Sequence, residues 1–310
     1  MIGYRKSGNR KGGPRRDREA LLAWCLAAPA LALIFAVALF PALWTLWESL
    51  HVHDLRMPWR GRPFVGLGNY LELATDRRFW QAMLHTAGFV AASVTLEMIL
   101  GLALALALHR PHRLRGLLRT TALLPWAIPT VVTALVWRFI FEEQAGIANA
   151  LMVNLGLIDR PLTWLADPVA AWIPVVLADV WKTTPFVAVL LLAGLQTVDE
   201  TLYEAARIDG AGWWQQLIHI TLPSLKPAIL VALIFRTLDA FRVFDLIYVL
   251  TGGGPGTATE PIALYSFSAL LQNLRFGYGS AMGVVVFATS MFLAILYIRR
   301  LGLKSEGRGR

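Results

Sequence analysis

Charge is scarce in this chain and cysteine almost absent. Only 16% of its 310 residues are Asp, Glu, Lys or Arg, a poor supply for a water-facing surface of this length. The single Cys25 sits inside an apolar run, which excludes an intrachain disulfide and leaves it the role of a small hydrophobe. No G-x-S-x-G, no H-E-x-x-H and no G-x-x-x-x-G-K-[ST] occurs. Serine-hydrolase, zinc-protease and P-loop ATPase readings therefore lack their nucleophile, ligands or phosphate cradle. The run Gly252-Gly253-Gly254-Pro255-Gly256 comes nearest to a phosphate loop, but Thr257 and Ala258 follow where Lys and Ser/Thr are needed. His51-Val52-His53-Asp54 offers metal donors with no further ligand nearby, so neither a metal site nor a catalytic residue is assigned.

What the chain has in abundance is apolar length. Hydrophobic residues make up 56% of it, and six runs are long enough for a helix to cross a bilayer: Trp24–Trp47, Ala82–Leu108, Leu123–Phe141, Trp172–Leu195, Leu225–Leu250 and Ala281–Ile298. The expected class is an all-α membrane protein with six transmembrane helices. The first run follows a basic tail, as a secretory signal does, but is too long for a signal core and reads as an uncleaved span. The net charge of +9 does not indicate nucleic-acid binding, because the Lys and Arg residues collect at the ends of apolar runs. Four segments on one side (the tail, 109–119, 196–224 and 299 onward) hold 17 of them, against 7 in the three segments on the other. The positive-inside rule then places both termini and the 199–223 loop in the cytoplasm. The organisation expected is a disordered basic tail (1–20), a first span with its outer loop (21–80), a permease domain (81–300) and a short tail (301–310).

Ionisable residues inside a span cost about 2.5–3.5 kcal/mol each on insertion scales, which makes them candidates for function. The fourth run carries Asp179 and Lys182; the fifth carries Arg236, Asp239, Arg242 and Asp245 in alternating sign. Steps of three residues drift by roughly 60° around a helix, so these four cannot line one pore. Arg236 and Lys182 fall near the middle of the bilayer. Lys182, Thr183, Phe186, Arg236 and Asp239 together supply polar groups for sugar hydroxyls and an aromatic face for a sugar's apolar side. Salt bridges that fix helix packing are the competing reading, and Glu97, an isolated charge in the second run, reads as packing.

The 199–223 loop is polar and broken by Gly210 and Gly212. Asp199 suits an N-cap for a short helix through Glu204, Gly210 suits a left-handed C-terminal residue, and Trp213 begins a second short helix that Pro223 ends. Glu204-Ala205-Ala206, then Gly210, then Ile220-Thr221-Leu222-Pro223 resembles the "EAA" loop of bacterial ABC importer permeases at every position of that motif. Leu124-Pro125-Trp126-Ala127-Ile128-Pro129 is similar to the third span of carbohydrate-importer permeases, and Thr251-Gly252-Gly253-Gly254-Pro255 with Thr259-Glu260 resembles an outer loop of the maltose-type subfamily. The resemblance covers roughly residues 20 to 300.

That resemblance implies an ABC permease fold in which Glu204, Ala205, Ala206, Asp209, Gly210 and Ala211 pass ATPase motion to the spans. It implies a heterodimer with a second permease chain, two ATPase subunits that carry the ATP and magnesium, and an extracytoplasmic sugar-binding protein. It also points to the segments around 181–186 and before the Gly-Gly-Pro loop as the substrate region, adding Val243. Ala240 and Val243 depart from the amide side chains expected of a maltose permease. The function expected is import of a di- or oligosaccharide such as trehalose or maltose across the cytoplasmic membrane, with no enzyme activity and no cofactor in this chain. The rivals are a permease for glycerol-3-phosphate-like anions, suited by Lys182 and Arg236, an ion-coupled secondary transporter using Asp239 or Glu97 as a proton site, and a membrane-embedded enzyme.

Overall fold

A computed structural model describes residues 14–109 and 115–301 of the chain. Residues 1–13 and 302–310 of the two expected tails lie outside the described residues, as do 110–114 of a basic loop counted for orientation. Residues 14–20 of the expected disordered tail belong to a helix instead.

The described chain is helical. In order, the helices are α1 (Pro14–Ile34), α2 (Phe40–Ser49), α3 (Gly68–Thr75), α4 (Arg77–His109), α5 (Arg115–Ala127), α6 (Thr130–Ile140), α7 (Ile147–Asn154), α8 (Trp172–Leu195), α9 (Glu200–Ile208), α10 (Trp213–Gln216), α11 (Leu222–Ser224), α12 (Lys226–Phe241), α13 (Asp245–Leu250), α14 (Ile262–Phe267) and α15 (Phe276–Leu301). Among the described residues four helices are long and apolar enough to cross a membrane, or up to six if each of two bent pairs, Thr120–Ala127 with Thr130–Ile140 (95°) and Trp213–Ser224 with Lys226–Phe241 (68°), is one span. The fourth expected span coincides with α8, and the second and sixth lie within α4 and α15. The first run continues as helix from α1 into α2 through a π-helical turn at Phe35–Leu39.

Two of the expected spans are broken. The third, expected as one helix over Leu123–Phe141, bends by 95° between Ala127 and Thr130. Pro129 lacks the N–H that would continue the ladder, disfavours helical geometry at Ile128 before it, and itself adopts an extended ψ of 139°. The fifth, expected over Leu225–Leu250, stops at Phe241 and resumes at Asp245, with Phe244 out of helical geometry at φ −137°, ψ −66°. Beyond that break α13 packs on α6.

The centre of the fold is α4 against α8, with α12 closing on both. Gly101 permits the close approach: a Cβ there would lie 2.6 Å from Val187 Cγ1. Phe89, Val175, Leu246 and Ile247 fill one part of this core, and Leu191, Leu192, Leu195 and Leu225 another nearer the 199–223 loop. At the opposite end, Asn69 donates to the carbonyls of Ser49 and His51, and Arg78 holds the buried Glu260 with two bonds of 2.8 Å. His53 pairs with Glu48 and Asp54 with Arg56, so the histidine–aspartate run is engaged within that loop.

Candidate functional site

The buried charges converge on one guanidinium. Arg236, on α12 and 2% exposed, donates from Nε to Glu97 Oε2 (2.5 Å) and from Nη2 to Glu97 Oε1 (2.7 Å). Its Nη2 also reaches Asp179 Oδ2 on α8 at 3.1 Å, and Nη1 donates to Asp239 Oδ2 at 2.6 Å. A lone charge in this position would be prohibitive; three carboxylates around one Arg give the fork a partner on every side and tie three helices together. Glu97 is thus not isolated, and its packing role is exercised through Arg236. The signal in the sequence was its burial requirement: an acid in the middle of a 33-residue apolar helix needs a cation from a neighbour.

Lys182 does not pair with Asp179. Its ammonium donates to the carbonyl of Ile128 at 2.5 Å and approaches that of Trp126 at 3.4 Å. The 95° break leaves carbonyls at the end of α5 without helical partners, and Lys182 supplies donors to them. The lysine therefore fixes the corner that carries Trp126, whose ring stacks on Phe186 at 5.9 Å; Phe235 meets Phe186 edge-on at 6.4 Å.

Two adjoining cavities open beside this cluster, of about 360 and 340 Å³, and they share Thr183, Asp239 and Arg242. The first is walled by Trp126, Phe186 and Phe235 and bordered by Arg236. The second is bordered by Asp179, Lys182, Val243 and Asp245. All six residues expected at a substrate site thus border one or other of these adjoining cavities: Phe186 and Arg236 the first, Lys182 and Val243 the second, Thr183 and Asp239 both. Their availability differs. Asp239 and Arg242 are open, with side chains 56% and 76% exposed and a 3.4 Å contact between them. Arg236 and Lys182 are occupied as described. Trp126 and Phe235 were missed; Trp126 enters the site only because of the bend at Pro129.

At one end of the bundle the 199–223 segment forms two helices at an angle. Asp199 Oδ1 accepts from Thr201 N at 3.0 Å, capping α9 as expected. Its other end closes as a Schellman turn: Ala211 N donates to Ala206 O at 2.8 Å, Gly210 N to Arg207 O at 3.1 Å, and Gly210 takes φ +78°. Glu204, Ala205, Asp209 and Gly210 are exposed, Ala206 and Ala211 half-buried, and Ile208 is 86% exposed. The opposite face of α9 turns inward, where Tyr203 OH bonds Thr221 Oγ1 at 2.9 Å. That bond joins the two halves of the motif across 18 residues. A cavity of about 530 Å³ lies between α9 and the ends of α4 and α8.

A bent helix bundle with an intramembrane charge cluster and an exposed Ala-rich helix at one end defines a membrane permease subunit. Residues 97–305 match the family of binding-protein-dependent transport system inner membrane components, and the chain belongs to that family. It is similar to the trehalose/maltose transport system permease protein MalF of Thermococcus litoralis (45% identical, covering 91% of this chain and 94% of that one). It is also similar to the trehalose transport system permease protein SugA of Mycobacterium tuberculosis (43%, covering 94% and 92%). A sulfoquinovosyl glycerol transport system permease, SmoG of Agrobacterium fabrum, is 38% identical over 92% of each chain. Among solved structures, a bacterial ABC transporter involved in import of the acidic polysaccharide alginate matches with a TM-score of 0.78 at 22% identity, covering 93% of this chain and 97% of that one; it shares the fold.

Proposed function

We propose that this chain is a permease subunit of an ABC importer for a neutral di- or oligosaccharide, with trehalose or maltose as the first candidates. The observation that carries this reading is the state of the cavity-lining charges. Arg236, the cation deepest in the fold, is already committed to three carboxylates, and Lys182 donates to two carbonyls. What remains open to a ligand is an aromatic wall, a threonine hydroxyl and the Asp239 carboxylate beside Arg242. Sugar rings stack on such a wall and donate hydroxyls to such acceptors, whereas a phosphate ester would bring its charge against the Asp179, Asp239 and Asp245 carboxylates that border the second cavity. The names of the relatives support the same substrate class.

In this reading α5 with α6 is one span and α12 with α13 another, giving six, with both termini and the α9 loop cytoplasmic. The exposed face of α9, with Glu204, Ala205 and Ile208, docks on one of two ATPase subunits that hold ATP and magnesium. A second permease chain completes the pathway, and an extracytoplasmic binding protein delivers the sugar. Closure of the ATPases moves the α9 loops together, and the Tyr203–Thr221 bond and the close-packed α4, α8 and α12 pass the motion toward the cavity. The energy for transport then comes from those ATPase subunits.

The test is uptake of labelled trehalose and maltose by cells with and without this chain, with unlabelled glycerol 3-phosphate as competitor. Loss of sugar uptake on deletion, insensitive to the phosphate ester, is the expected result. Competition by the ester would move the substrate to the anionic class. Uptake that survives loss of the ATPase but collapses with the proton gradient would replace the ATP-driven reading altogether.

A further inference from the structure

Glu97 borders neither cavity, yet it touches two groups that do. Its Oε1 receives both Arg236 Nη2 (2.7 Å) and the Thr183 hydroxyl (2.7 Å), and its Oε2 receives Arg236 Nε (2.5 Å), while Glu97 itself is 0% exposed. From this geometry we infer that Glu97 is a positioning residue that keeps Thr183 and Asp239 as an acceptor pair at the cavity, selecting ligands by the hydroxyl hydrogens they donate. The inference rests on the sugar-site reading above.

The argument is one of hydrogen-bond directions. Thr183 has a single proton, and its Oγ1 lies within bonding distance of two buried acceptors, Glu97 Oε1 and the Asp179 carbonyl at 2.6 Å. With the proton committed inward, the hydroxyl offers the cavity only lone pairs. Arg236 is turned the same way. Glu97 takes two of its N–H groups and Asp179 shares one of them. Nη1 goes to Asp239 Oδ2, which fixes that carboxylate with Oδ1 as its less committed oxygen, 3.4 Å from Arg242. Alongside the Arg242 and Lys182 donors that also line these cavities, the result is a pair of oxygens held as acceptors, Thr183 Oγ1 and Asp239 Oδ1, near an aromatic wall. A hydroxyl that donates is satisfied here. A group that only accepts leaves these oxygens unpaired, and sites built to bond a hydroxyl reject analogues that lack it.

Changing Glu97 to Gln retains shape but not direction. The amide has donors as well as an acceptor, so it can turn an N–H onto Thr183 Oγ1, whose proton the Asp179 carbonyl still holds, and take up a lone pair otherwise left for a ligand. The charge that held the Arg236 fork is lost at the same time. The variant should therefore lose selectivity before it loses transport.

The experiment uses the assembled importer in proteoliposomes with saturating amounts of its loaded binding protein, so that affinity of the binding protein does not enter. Trehalose is compared with derivatives in which one hydroxyl at a time is replaced by fluorine, which cannot donate, and sugar transported per ATP is recorded. In the unaltered protein at least one derivative should move about tenfold less well than trehalose, the scale of one to two lost hydrogen bonds. Glu97→Gln and Thr183→Val should bring that ratio to within about twofold of unity, and Thr183→Ser should keep it. A role confined to packing would lower trehalose and derivatives in proportion and leave the ratio intact. If Glu97→Gln leaves the ratio unchanged while Thr183→Val and Phe186→Ala alter it, the inference fails and the site stands. If none of the three alters any ratio, the site reading itself fails. Should Glu97→Gln not assemble, the Val and Ser pair at Thr183 decides on its own whether the acceptor direction governs selection.

Discussion

Gly210 closes the α9 helix at φ +78°, and a Cβ placed on it would meet no atom within 4 Å. Replacement there therefore meets backbone strain without crowding, and the two can be separated. An alanine in the left-handed region costs about 1 kcal/mol relative to glycine, a β-branched valine about 2 kcal/mol, and asparagine a fraction of the alanine cost because its side chain tolerates this conformation. If the Schellman turn must be closed for α9 to transmit motion, these costs convert to about fivefold and thirtyfold fewer competent loops for Ala and Val. Asn should stay within about twofold. The assay is sugar transported per ATP hydrolysed by the reconstituted importer, alongside the amount of assembled complex. The expected order is Gly, Asn, Ala, Val, although asparagine is larger than alanine. An order in which Ala outperforms Asn would show that side-chain volume against a partner, rather than backbone strain, governs Gly210, and would refute the reasoning.

Two glycines of α4 offer an internal comparison. A Cβ on Gly101 would lie 2.6 Å from Val187 Cγ1 and 3.3 Å from the Ala188 nitrogen, whereas one on Gly88 meets nothing within 4 Å; Gly101→Ala should cost about 1–3 kcal/mol by overpacking and Gly88→Ala should be neutral or stabilising, as read by thermal unfolding of the detergent-solubilised protein. Outside the spans, the Arg56 guanidinium bonded to Asp54 holds that carboxyl down at about 2. A carboxyl depressed in the folded state stabilises at pH above its ordinary value near 3.8, and the gain fades as pH falls from about 4 toward 2. The difference in unfolding temperature between the unaltered protein and Asp54→Asn should accordingly narrow from pH 5 to pH 3, and a constant difference would show that Asp54 contributes through packing alone.

Much of the architecture was legible from runs of residues. Apolar length located the runs that form α1–α2, α4, α8 and α15, and α8 begins and ends where hydropathy placed it, because a helix crossing a membrane satisfies its own backbone and needs only apolar side chains outside. The α9 loop was legible for a different reason: Asp199, Gly210 and their bonds are local, so the caps were written in neighbouring residues. The bends were only half-visible. Pro125 and Pro129 announce a weak point, but a 95° corner depends on Lys182 supplying donors to the freed carbonyls from another helix.

The candidate site shows the same division. Chain spacing identified which residues are unusual for a membrane interior: Glu97, Asp179, Lys182, Arg236 and Asp239. It did not reveal that Glu97 and Arg236, 139 residues apart, are partners, or that the lysine's partners are backbone carbonyls. Sequence by itself determined the apolar spans, the polar loop with its caps and the inventory of intramembrane charges, since each follows from composition or from contacts within a few residues. Only the tertiary structure decided which of those charges are paired in the interior and which stand open at a cavity. Pairing across helices is set by where α4, α8 and α12 cross, and that crossing consumes Arg236 and Lys182 while leaving Asp239 and Thr183 at the cavity.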